Sequence, residues 1–169
     1  MPISTADVAA FNALTEEDAR ARLTGCLAVP RWVEELLQAR PYDDQQALLD
    51  RAERSASQLS DAELASALAG HPRIGERPGT GHDRAFSTRE QSGVDLAEEE
   101  VRRRLAEGNR AYERRFGHVF LVRAAGRDAA DILGELERRL GNDDETEREE
   151  TVRSLREIAL LRLQEVVSP

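Results

Sequence analysis

Apolar residues recur along most of this chain at the spacing of roughly three to four positions that marks an amphipathic helix. Ser4 to Asn12 reads as a short first helix. Thr15 opens a second with Glu16, Glu17 and Asp18 in its first turn, where a hydroxyl cap and carboxylates suit the unpaired N–H groups, and Leu23, Cys26 and Leu27 supply its apolar face. Trp32, Val33, Leu36 and Leu37 predict a third helix that begins at Pro30 and is stopped by Pro41. Gln45 to Gln58 is a fourth, with Ala47, Leu48, Ala52 and Leu59 inward. Ser60-Asp61-Ala62-Glu63 has the form of a capping box, and its helix carries Leu64, Ala67 and Leu68 to a stop at Gly70. Three longer patterns follow: Asp95–Arg115 with Leu96, Val101, Leu105 and Tyr112; Arg127–Leu140, closed by Gly141-Asn142; and Glu145–Val167 with Val152, Leu155, Ile158, Ala159, Leu160 and Leu163. His118 to Val122 is strand-like, but a lone strand has no partner, so it reads as a buried extended link. The expected fold is all-α, a single-domain helical bundle of about eight helices.

One stretch breaks the helical pattern. From Gly70 to Gly93 the chain holds five glycines and two prolines. So long a loop in a compact domain is usually functional or disordered, which makes His71 to Gly93 the first place to look for a site.

Composition narrows the chemistry. The formal net charge is −9, which argues against a nucleic-acid binder and against adsorption to anionic membranes. All 24 basic residues are Arg, so a lysine Schiff base is excluded, and with it pyridoxal-type and lysine-imine decarboxylation. The single cysteine, Cys26, permits no intrachain disulfide and fits a reducing compartment. Met1 to Phe11 has no basic region or long apolar run, so a cytoplasmic chain without signal peptide or membrane span is the expectation.

Candidate chemistry gathers in and around the glycine-rich stretch. His71 follows the Gly70 helix stop, and Pro72 biases it to extended geometry, so its imidazole is held at a helix end. That suits a positioned acid or base near neutral pH. Ser87-Thr88-Arg89-Glu90-Gln91 has two readings: a capping box that begins a helix, or a pocket wall in which Glu90 and Gln91 offer an acceptor and a mixed donor–acceptor to a urea-like group. Both hold if the helix N-terminus points at a ligand. His71 and His82 flank Glu76 and Asp83, but no His-x-x-x-His or Cys-x-x-Cys spacing is present, so no metal is expected. Gly75, Gly79 and Gly81 match neither the P-loop nor the dinucleotide fingerprint. Arg162 lies within Ile158-Ala159-Leu160-Leu161-Arg162-Leu163, either on the helix flank with a solvated head or in a pocket as an anion-binding group.

Taken together these pieces resemble the OHCU decarboxylase family (2-oxo-4-hydroxy-4-carboxy-5-ureidoimidazoline decarboxylases) in its bacterial form. The matching stretches are Pro30-Arg31-Trp32 with Arg40-Pro41-Tyr42; His71-Pro72-Arg73-Ile74-Gly75; Ser87-x-x-Glu90-Gln91-x-Gly93; Asn-x-x-Tyr-x-x-Arg-Phe-Gly from Asn109 to Gly117, continuing into Val119-Phe120-Leu121-Val122; and Glu157-Ile158-Ala159-x-x-Arg162-Leu163. The resemblance implies an all-helical homodimer that uses no cofactor. It implies that His71 is the catalytic acid/base, with Glu90 tuning or orienting it. It makes Pro72, Ser87, Thr88, Arg89, Glu90 and Gln91 substrate-binding positions, and Arg162 a pocket arginine. Phe120, Leu121, Val122, Arg123 and Ala124 match a segment that contacts substrate largely through backbone groups, and of Arg123 only the backbone is carried over. The implied substrate is OHCU and the implied product (S)-allantoin, in urate breakdown. The competing reading is a non-catalytic helical protein-interaction module, which the acidic surface and the many Arg–Glu pairs favour.

Overall fold

The computed structural model describes residues 5–71 and 99–167. Eight helices make up the described fold: α1 (Thr5–Asn12), α2 (Glu16–Cys26), α3 (Pro30–Gln38), α4 (Gln45–Ala56), α5 (Asp61–Ala69), α6 (Glu99–Phe116), α7 (Ala129–Leu140) and α8 (Asp144–Val167). No strand occurs among the described residues, and no described helix is long and apolar enough to cross a membrane. The all-α expectation therefore stands. The chain divides into two compact units, Met1–Ala67 with Arg156–Pro169, and Leu68–Leu155.

Local signals explain the helix starts in the first unit. The Thr15 hydroxyl accepts from the Asp18 N–H at 3.1 Å, and the Asp44 carboxylate accepts from the Ala47 N–H at 2.7 Å. Pro30 occupies the first turn of α3, where its missing N–H costs nothing. The capping box at the start of α5 is reciprocal: the Ser60 N–H donates to Glu63 at 2.9 Å and the Glu63 N–H to the Ser60 hydroxyl at 3.1 Å. α3 packs against α2 and α4, and α1 lies against α4. Trp32 is fully buried, as are Leu23, Leu36 and Leu48, and its indole N–H donates to the Ala52 carbonyl at 3.0 Å. Two details depart from the sequence reading. α4 ends at Ala56, short of Gln58, and Ala47 is exposed, because it sits in the first turn where the Asp44 cap holds the backbone at the surface.

In the second unit α6 pairs with α7. Gly108 permits the close approach: a Cβ there would lie 2.6 Å from Leu136 Cδ2. The core between them gathers Leu105, Tyr112, Phe120, Val122, Ala124, Ile132, Leu133 and Leu136. Asp128 caps α7 in a reciprocal box with Asp131. Gly117 and Gly126, both at positive φ (80° and 77°), mark the turns on either side of the 118–125 link, a backbone conformation glycine adopts without steric cost. That link is neither helix nor strand and is largely buried, as the sequence pattern anticipates.

Candidate active site

The described residues place three parts of the expected site. His71 lies one residue beyond the end of α5, after Gly70, and is half-buried. Its backbone N–H donates to the Leu68 carbonyl at 3.1 Å, which closes the last turn and holds the residue at the helix end, where the sequence places it. Pro72, Ser87, Thr88, Arg89, Glu90 and Gln91 lie outside the described residues, as does most of the glycine-rich stretch.

The second part is the segment Phe120–Ala124. Phe120, Leu121, Val122 and Ala124 are buried, each 5% exposed or less, while Arg123 is exposed. The segment's carbonyls are engaged at two points: Leu121 O accepts from Arg139 Nη1 at 2.7 Å, and Ala124 O accepts from the Arg127 N–H at 3.1 Å. No hydrogen bond among the described residues uses the backbone N–H of Phe120, Leu121, Val122 or Arg123.

Arg162 is the third part, in the half of α8 that belongs to the first unit. It is 2% exposed, and its Nη1 donates to the Gly25 carbonyl at 3.3 Å. The reading of Arg162 as a flank residue with a solvated head is thereby corrected: the seven-residue step from the buried Leu155 returns to the same helix face and carries the guanidinium inward.

Sequence reasoning missed a buried polar cluster beneath the Phe120–Ala124 segment. Arg139 and Glu147 are each 1% exposed. Arg139 Nε lies 3.0 and 3.2 Å from the two Glu147 oxygens, and Nη2 lies 2.5 Å from Oε1. Nη2 also donates to the Thr151 hydroxyl at 3.1 Å. Glu147 accepts in addition from the Tyr112 hydroxyl and from Asn142 Nδ2 at 3.0 Å. Burial, reinforced by the Glu147 contact, pushes the Tyr112 phenol well above its ordinary range, so it stays a proton donor at any working pH. A signal for this cluster was present: Arg139 is seven residues beyond Ile132, and Glu147 is four before Thr151 and seven before Ser154, so both share the buried faces of their helices. Reading charged residues as solvated by default hid it.

The sequence model of a family described as OHCU decarboxylase matches residues 12–164. The chain is 28% identical over 147 residues to the uric acid degradation bifunctional protein of Bacillus sp. (strain TB-90), covering 85% of this chain and 29% of that protein. It is 25% identical over 147 residues to the uric acid degradation bifunctional protein TTL of Arabidopsis thaliana, covering 85% of this chain and 45% of that one. The chain thus spans less than half the length of either relative. Among solved structures, an OHCU decarboxylase crystallised in the presence of (S)-allantoin superposes with a TM-score of 0.76 at 24% identity, over 88% of this chain and 99% of that one. An (S)-allantoin synthase superposes with a TM-score of 0.72 at 14% identity, over 99% of this chain and 54% of that one. At these identities the two structures establish the shared fold.

Proposed function

The chain belongs to the OHCU decarboxylase family, and on that premise we propose that it converts 2-oxo-4-hydroxy-4-carboxy-5-ureidoimidazoline to (S)-allantoin and CO2 in urate breakdown, without metal or organic cofactor. The observation that carries this reading is the family match across residues 12–164.

The substrate has a hydroxyl and a carboxylate on one ring carbon, next to a ring C=N. When the bond to the carboxylate breaks, its electron pair forms a ring C=C and the C=N pair moves to nitrogen. The substrate is its own electron sink, which suits a chain with no lysine to form an imine. The ring nitrogen that received the pair takes up a proton, the resulting enol is protonated on the neighbouring carbon, and loss of the hydroxyl proton leaves the carbonyl of allantoin. Three tasks fall to the protein. It holds the carboxylate out of the ring plane so that the breaking bond overlaps the C=N. It stabilises charge moving onto ring nitrogen and oxygen, through the N–H groups of Phe120–Arg123 and the Arg162 guanidinium. It delivers the proton to one face, a role assigned to His71 at the end of α5. In this reading Glu90 orients His71, Gln91 reads the ureido arm, and Pro72, Ser87, Thr88 and Arg89 complete the pocket. The working form is a cytoplasmic homodimer of single-domain chains.

A coupled assay tests the proposal. Urate oxidase and hydroxyisourate hydrolase generate the substrate in situ, and circular dichroism follows the product. Fast growth of a single-handed allantoin signal is the expected result. A rate and a racemate equal to the blank would leave the helical interaction module as the better account. His71→Asn removes general acid–base help worth about 10²–10⁴ in rate while leaving the fold intact; near-parental activity in that variant would remove His71 from the chemistry.

A further inference from the structure

Phe120–Ala124 belongs to no helix or sheet, so no ladder of hydrogen bonds fixes its course. A segment that presents its N–H groups to a reacting molecule must nevertheless be held to a fraction of an ångström. Arg139 meets this need from the last turn of α7. Its Nη1 donates to the Leu121 carbonyl at 2.7 Å, and its guanidinium carbon lies 4.9 Å from the centre of the adjacent Phe120 ring. Tyr112 meets the same ring edge-on at 5.3 Å. One side chain therefore grips both the main chain and the neighbouring aromatic ring.

Arg139 is itself immobilised by Glu147, which the Tyr112 hydroxyl and Asn142 hold in turn. Both charges sit where helix dipoles favour them: Arg139 in the last turn of α7, Glu147 in the first turn of α8. A buried ion pair is often replaceable by apolar residues at no loss of stability. Its presence beneath a segment without secondary structure calls for a reason other than stability, and the main-chain carbonyl it grasps supplies one.

We propose that Arg139, locked by Glu147, is a positioning residue that sets the backbone of Phe120–Ala124 against the substrate. This rests on the reading that the segment touches substrate. The Leu121 carbonyl is committed to Arg139, so the substrate meets this segment through N–H donors and not through that oxygen. Lysine at 139 keeps the charge but lacks the planar fork that reaches Glu147, Thr151 and Leu121 together.

The test uses the full chain in the coupled assay, with thermal unfolding as the control for folding. In the double variant Arg139→Met/Glu147→Leu an apolar pair replaces the buried charges. The expected result is a folded protein whose kcat falls about 10–100-fold and whose KM rises at least about threefold, because a small misplacement of substrate-binding groups costs up to about a hundredfold. Arg139→Lys should fall between this variant and the parent. A simple loss of folded protein lowers kcat and leaves KM unchanged, so the KM rise separates positioning from a structural role. A folded double variant with kcat and KM within about twofold of the parent overturns the proposal. If the double variant does not fold, Arg139→Lys decides by the same two constants, and failure of both to fold also overturns it, in favour of a purely structural role. An inactive parent chain overturns the decarboxylase reading and this proposal with it; an active parent with unaltered variants overturns the positioning role alone.

Discussion

Two arginines tie segments together in this protein, one in each unit, and they do so in opposite environments. Arg31 of α3 is about a third exposed (34%) and spreads its donors over Glu63 at 2.8 Å, Glu35 at 3.0 Å and Ser55 Oγ at 3.1 Å, with weaker contacts to the Ser55 and Gln58 carbonyls. It clamps α3 to α4 and α5 from outside a core that Trp32, Leu36 and Leu48 already fill. Arg139 is 1% exposed, and the segment it holds has no secondary structure of its own. Water can replace most of what Arg31 does, whereas nothing replaces Arg139 without leaving Glu147 or the Leu121 carbonyl stranded. The same residue type can thus be removed singly at little cost in one unit and not in the other, and burial of the partner decides which.

The sharpest way to break the comparison is to remove one partner of each pair. Glu147→Ala leaves the Arg139 charge buried and unpaired and should cost about 3–5 kcal/mol in urea unfolding. A loss under about 1 kcal/mol would mean water reaches the cluster and the contrast is false. Gly108→Ala comes next. The new methyl meets Leu136, which is fully buried and cannot swing away, so despite alanine's helix propensity the chain should lose about 1–2 kcal/mol by overpacking. Arg31→Ala should cost only about 0.2–1 kcal/mol, the range of solvent-screened pairs, and the loss should shrink in high salt.

Acid titration sharpens the same contrast. Contacts with Ser55 and then Arg31 lower the Glu35 pKa. The Ser60 N–H and then Arg31 lower that of Glu63. Arg138 lowers those of Glu135 and Glu150. A carboxylate whose folded pKa lies below its unfolded value stabilises the fold above the unfolded value, about 4.3 for Glu, and loses that contribution as pH falls through the folded value. The melting temperature should therefore be flat from neutrality down to about pH 5 and fall below about pH 4. Arg31→Ala should reduce the part of that fall that comes from Glu35 and Glu63. An acid limb of the same depth in the variant would show that the Ser55 and Ser60 contacts carry the effect alone.

The helices were legible in the sequence because each is defined by neighbours. Thr15 and Ser60 cap the helices they precede through bonds to residues three positions on, and the stripes of α3 and α6 carry buried residues at the spacing that predicts them. The position of His71 at a helix end was legible for the same reason, since a helix stop is local. The buried charges were not. Arg139 looks like any of the chain's other arginines until the fold shows what surrounds it, and of the two local readings of Arg162 only the fold selects the inward one.

The sequence by itself determined where helices start, which faces turn inward, that the chain is all-α, and which family it belongs to, because caps, periodicity and ordered motifs act over a few residues. Only the tertiary structure decided that Arg139 and Glu147 lie buried together under Phe120 and Leu121, and that Arg162 points inward toward the Gly25 carbonyl. A charge is soluble or buried according to groups that chain folding brings from far along the sequence, and no local pattern carries that information.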